Sequence, residues 1–316
     1  PSRQRSAGLD IIRCFAILSV IASHFFLHTK FDDTPFEGVS MFLQGMGQSL
    51  FLISVPLFLI LTGYLNCHKQ LSRKYYKGVS RVVISYLVFS VVAILFRRYY
   101  VHEDLSWLQW LLKITDFSAI PYGWYVEMWL GLFLITPFLN ILWKGISSER
   151  HRRVLIATLY VLTALPDFFN RYGVHLVPGY WEAVYPLLFF FIGSYIREYR
   201  PSLSKLKLWL MILGLCLINP VFNTVAMSNH TMIHLVGDGN GIVGVPLATM
   251  FFLCFYRVDV RNAYVKNVLQ RVSVLSLDMY LVSYVFDVLY YSYFETCFFV
   301  SQSQFGLFFF VIVPLV

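Results

Sequence analysis

The feature that most constrains this chain is the spacing of its apolar runs. Scanning for stretches near the 17–25 residues a helix needs to cross a bilayer gives ten, near 8–28, 48–66, 80–96, 122–143, 153–170, 182–197, 206–223, 241–256, 272–292 and 305–316. The last is expected to be an incomplete span. Only 13% of the 316 residues are charged, against about 25% in an ordinary soluble domain, and 58% are apolar. The expectation is an all-α fold: one polytopic membrane bundle of about ten transmembrane helices over 1–316, with no linker or internal repeat dividing it.

Charge sets the orientation. With the N-terminus inside and strict alternation, twenty of the 25 Lys and Arg fall on one side, including Arg73, Lys74, Lys77, Arg81, Arg150, Arg152, Arg153, Arg257 and Arg261. The other side holds five: Lys30, Arg97, Arg98, Lys113 and Arg171. Cytoplasmic loops collect basic residues, so the richer side is expected inside a cytoplasmic (inner) membrane. The net charge of +8 is explained by this asymmetry, and nucleic acid is not an expected partner. The five Cys stand singly, without metal or disulfide spacing, and read as small core residues.

The outer segments are richer in aromatic and uncharged or acidic polar groups, among them Trp107, Trp110, Tyr122, Tyr180, Trp181, Asn229, His230, His234 and Asp238. The longest spans 97–121. Stacking on a sugar is one use for such aromatics; an interfacial belt is the commoner one.

The first run carries the most unusual polar residues. Arg13 and His24 are eleven positions apart, three helical turns and a small remainder, so they share a face about 16 Å apart along the axis. Asp10, three residues before Arg13, falls on it too. Ionisable residues inside a span are costly and mark function by default. Histidine suits proton removal from a hydroxyl near neutral pH, and arginine suits phosphate. His24 and His28 are an i, i+4 pair, but no third ligand is evident and nothing calls for a metal.

Further along, Pro56 and Gly63 interrupt the second run and permit a kink or a close helix approach. Glu127 lies within the fourth run and is expected to face the bundle interior as a supporting residue. In the ninth run Asp278 and Asp287 are nine residues apart, on nearly opposite faces, which argues against their working as a pair.

Taken in order, these segments resemble the membrane acyltransferase family 3, bacterial integral-membrane enzymes that O-acylate surface glycans. The family's opening D-x-x-R, with a His eleven residues after the Arg, is matched by Asp10, Arg13 and His24. Thr62-Gly63-Tyr64 stands where Ser-Gly-Tyr or Ser-Gly-Phe is usual. A W-(Y/F)-x5-G-L-(Y/F)-L-x-x-P segment runs from Trp124 to Pro137, and S-x-x-x-Y-L from Ser276 to Leu281. There is one departure: of the frequent R-x-x-R after the second span, Arg81 fits the second Arg but Gly78 holds the first position, beside Lys77.

The resemblance implies an O-acyltransferase that moves an acetyl or other acyl group from cytoplasmic acetyl-CoA or another acyl-CoA to a hydroxyl of a cell-surface or exported carbohydrate. No bound cofactor is expected. It implies that His24 is catalytic, as base or as acyl carrier, with Arg13 in donor binding or orientation. Asp10 and Glu127 support the site, and Arg81 and Lys77 bind the donor. The rival expectations are a transporter of a small polar substrate or sugar intermediate, and a membrane module of a larger sensor.

Overall fold

The structure is a computed structural model that describes residues 6–29, 31–170, 174–226 and 239–298, with side chains as far as 293. The residues Arg3, Arg5, Lys30, Arg171, Asn229, His230, His234 and Asp238, and the run 305–316, lie outside the described residues. Twelve α-helices follow in order: α1 (Ala7–His28), α2 (Gly38–Phe51), α3 (Ser54–Asn66), α4 (Arg73–Lys77), α5 (Ser80–Tyr99) and α6 (Trp107–Thr115). Then come α7 (Trp124–Gly145), α8 (Glu149–Phe169), α9 (Tyr185–Tyr199), α10 (Lys205–Ala226), α11 (Gly244–Phe255) and α12 (Ala263–Phe298). No strand occurs among the described residues, which make an all-α fold.

Among the described residues, six stretches are long and apolar enough to cross a membrane: Ala7–His28, Gly38–Asn66, Arg73–Tyr99, Trp124–Gly145, Lys205–Val225 and Ala263–Tyr293. This is a multi-pass membrane protein. Three further apolar runs fall on helices outside that set. Helix α8 opens on Glu149, Arg150, Arg152 and Arg153, α9 has 15 residues, and α11 has 12. The four cysteines with described side chains, Cys14, Cys67, Cys216 and Cys254, are free and buried.

Sequence dictates where the helices break and how closely they pack. Pro56 has no N–H and its ring would strike the carbonyl of Leu52, so α2 ends there and α3 begins two residues later. Gly63 and Gly193 let α3 and α9 meet backbone to backbone. A Cβ at Gly63 would lie 2.0 Å from the Phe190 carbonyl oxygen, and one at Gly193 2.1 Å from that of Ile60. Pro137 likewise leaves the Phe133 carbonyl without its helical donor. The Tyr75 hydroxyl donates to it at 2.8 Å, and Tyr76 donates to Leu134 at 3.2 Å, which fastens α4 to α7.

Contacts gather the basic connections at one end. Arg81 donates to the Val274 carbonyl, Arg197 to the Tyr64 hydroxyl, and Arg257 to the Arg200 carbonyl. The Asn140 amide bonds the carbonyls of Asn66 and Lys69, both at 2.8 Å.

The 97–121 segment is not an open loop. A capping box of Ser106 and Gln109 starts α6, and Arg97 forks onto Glu103 while donating to the Ser118 and Ala119 carbonyls. Trp110, expected among surface aromatics, is fully buried with the Arg97 guanidinium over its ring at 5.2 Å.

Candidate functional site

Helix α1 packs along α12, and its polar face is the one that meets it. At the basic end, Arg13 Nη1 donates to Ser273 Oγ at 3.0 Å, and that hydroxyl donates to Asp10 Oδ1 at 2.7 Å. Asp10 is 2% exposed. Ser273 therefore links the buried carboxylate to the half-buried guanidinium. Arg81 lands one residue away, on the Val274 carbonyl, at 3.2 Å. Lys77 follows on α4, exposed, with its carbonyl accepting from Ser80 Oγ at 2.9 Å.

At the other end of α1 stands a second cluster. Asp287 of α12 is wholly buried, and its Oδ2 lies 2.8 Å from His24 Nδ1. The same oxygen accepts from the Tyr122 hydroxyl at 2.7 Å. With its own proton so committed, Tyr122 Oη accepts from Nε2–H of His28 at 2.9 Å. The Tyr122 ring stacks on His24 with centroids 4.1 Å apart, and His28 stacks on Tyr291 at 4.8 Å. The His24–Asp287 approach meets the distance of a hydrogen bond but not its angle. Such contacts commonly align only when substrate is bound. With Nδ1 facing the acid, Nε2 is the nitrogen left for a substrate.

Each cluster borders a cavity. The one at the Arg13 end has a volume of about 220 Å³, and its walls include Arg13, Thr62, Asn66, Trp129 and Ser276. Each of the four matched motifs contributes to it: Arg13 from the first, Thr62 from the second, Tyr125, Val126 and Trp129 from the third, Ser276, Leu277 and Tyr280 from the fourth. Trp129 Nε1 donates to Thr62 Oγ1 at 3.3 Å, tying two of these segments together. The cavity at the His24 end measures about 410 Å³. It is lined by Ser23, His24, Tyr122, Trp124, Tyr185 and Asn240 among others, and by Leu52 and Pro56 at the break between α2 and α3. Irregular backbone at that depth is tolerated where it borders a cavity.

The structure thus brings Asp10, Arg13 and Arg81 to one end and sets His24 in the other cavity. Glu127 is a correction to the expectation: it is exposed, in the first turn of α7, and borders neither cavity. A span apolar all round has no face that its hydrophobic pattern marks as inner, and a carboxylate suits the positive end of a helix. Sequence reasoning missed Asp287 and Tyr122 as site residues. The signal for Asp287 is an acid within an apolar run; Tyr122 is one of many outer aromatics, and nothing local distinguishes it.

Comparison with known proteins adds one match. A family model described as an acyltransferase domain matches residues 6–316. No curated protein and no solved structure matches the chain.

Proposed function

The chain belongs to the membrane acyltransferase family 3, and from that premise we propose that it moves an acyl group from acyl-CoA, acetyl-CoA foremost, to a hydroxyl of an exported or surface carbohydrate. Family membership makes it a membrane acyltransferase and favours this reading over a transporter or a sensor module. The observation that carries the finer reading is the pairing of His24 with buried Asp287 beside a cavity.

In this reaction His24 acts as general base. Its Nε2 takes the proton from the acceptor hydroxyl as that oxygen attacks the thioester carbonyl. The new C–O ester bond forms, the C–S bond breaks, and the proton passes to the departing thiolate. Asp287 holds the imidazole and stabilises the imidazolium that forms, and Tyr122 holds Asp287. The donor enters at the Arg13 end, where Arg13 and Arg81 attract its phosphates and Lys77 adds a more distant charge. The acceptor enters the cavity that holds His24, whose aromatic walls Tyr122, Trp124 and Tyr185 suit sugar rings. The charge asymmetry supports an orientation with the Arg13 end and the N-terminus in the cytoplasm, and a cytoplasmic acyl-CoA donor accords with an inner membrane.

The test is reconstitution in liposomes with labelled acetyl-CoA at the Arg13 face and a carbohydrate acceptor at the other. Hydroxylamine-labile label on the acceptor is the expected result. Counterflow of a small polar substrate, with no acyl transfer, would sink the proposal.

A further inference from the structure

Helices α2 and α3 belong to one membrane-crossing stretch, Gly38–Asn66, that is broken part-way along. Leu52, Ser54, Val55 and Pro56, at the break, border the cavity that holds His24. The start of α3 therefore opens onto that cavity. The first-turn N–H groups of a helix have no acceptor inside it, and they form its positive end. Here no side chain caps them, because the N-cap residue is Ile53. A half-helix end within a span is suited to negative charge.

Ser54 stands in that first turn. It is 6% exposed, and its hydroxyl has no hydrogen-bond partner among the described residues. Three other hydroxyls of the wall have already committed their protons. Ser23 donates to the Ser19 carbonyl at 2.8 Å, Tyr122 to Asp287 at 2.7 Å, and Tyr280 to the Tyr122 carbonyl at 2.5 Å. Asn240 borders the same cavity from the segment that precedes α11. That segment lies tight against the break: a Cβ on Gly239 would stand 2.2 Å from the Leu52 carbonyl oxygen. The Asn240 amide is thereby kept beside the start of α3.

We propose that Ser54 Oγ, Asn240 Nδ2 and the N-terminal end of α3 form an oxyanion site for acyl transfer at His24. The proposal rests on the reading that an acyl-CoA thioester reacts there. As the acceptor oxygen attacks, the carbonyl π pair moves onto the carbonyl oxygen and His24 Nε2 takes the hydroxyl proton. The tetrahedral carbon then bears an alkoxide, which the two donors and the helix end stabilise. When that pair returns, the C–S bond breaks and the imidazolium gives its proton to the thiolate. Charge develops only between these steps, so donors aimed at it raise kcat without tightening substrate binding.

The full chain in liposomes, supplied with acetyl-CoA and a carbohydrate acceptor, gives the rate per protein. Ser54→Ala should lower kcat by about 10²–10³-fold with little change in KM. Ser54→Thr, which keeps a hydroxyl, should recover most of that loss. Asn240→Asp should be slower than Asn240→Ala, because a carboxylate repels the oxyanion where a methyl group does not. An undiminished kcat in Ser54→Ala, or a loss confined to KM, overturns the oxyanion site alone. A wild type that transfers nothing sinks the acyl-CoA reading, and the oxyanion site with it. A second measurement needs no variant to fold: the infrared carbonyl stretch of acetyl-CoA, ¹³C-labelled at that carbon and bound to wild type. Donors at the carbonyl oxygen should place it at lower frequency than in water. A stretch at or above its position in water would show that no such donors meet the carbonyl.

Discussion

Oδ2 of Asp287 lies 2.8 Å from Nδ1 of His24, joining the last described helix to the first. A buried acid facing one imidazole nitrogen orients the ring and leaves the other nitrogen for chemistry. Asp287→Asn keeps the shape and removes the charge. The expected result is a fall in kcat of about 10²–10⁴-fold with protein level retained. Combining it with His24→Ala should add little beyond His24→Ala alone, since residues that act as a unit are not additive. Activity normalised to membrane protein is the measurement, and two independent, multiplying losses would break up the dyad.

His24 and His28 should separate. His24→Ala is expected to abolish acyl transfer, by about 10²–10⁴-fold, while the protein still accumulates. His28 reaches Asp287 only through the Tyr122 hydroxyl, with its own Nε2 3.8 Å from Oδ2. His28→Ala and Tyr122→Phe should each cost about tenfold, the scale of one hydrogen bond. Normalised rates that survive His24→Ala would remove the histidine from the chemistry.

At the basic end the test is affinity. Losing one charge-assisted contact costs about 1.5–3 kcal/mol, so Arg81→Ala should weaken acetyl-CoA binding by about 10- to 150-fold. Lys77→Ala should do less. Calorimetry on the purified protein measures both, and an unchanged affinity in Arg81→Ala takes this loop out of the site.

Orientation is tested by labelling single cysteines in intact cells. Positions in 257–262 should be sheltered from an impermeant reagent, and positions in 100–106 should react. Outside labelling of 257–262 would reverse the charge-based assignment.

How much of this was legible depended on range. Nine of the ten apolar runs fall on helices, because hydropathy over some twenty residues reports burial in lipid or protein directly. The shared face of Asp10, Arg13 and His24 was legible for a similar reason: one helical period relates them. Pro56 and Gly63 permit a kink or a close helix approach, and the structure has a break before Pro56 and a close approach at Gly63. The partners of that face were not legible. Ser273 and Asp287 come from the far end of the chain, and no local period links them to α1. Within 97–121 the S-x-x-Q cap of α6 is readable from Ser106 and Gln109, while the aromatic content of the segment points to the membrane surface.

Of Pro137 and Tyr75, it is the tyrosine that cannot be changed singly without loss. Replacing Pro137 by alanine would ordinarily repair a helix. Here too the restored N–H of residue 137 would find the Phe133 carbonyl, whose second lone pair the Tyr75 hydroxyl leaves open. Tyr75→Phe alone strands the carbonyl instead. Made together, the two changes exchange one satisfied arrangement for another. Related sequences with proline at 137 should therefore keep a donor at 75, so the identity at one position forecasts the other across 61 intervening residues.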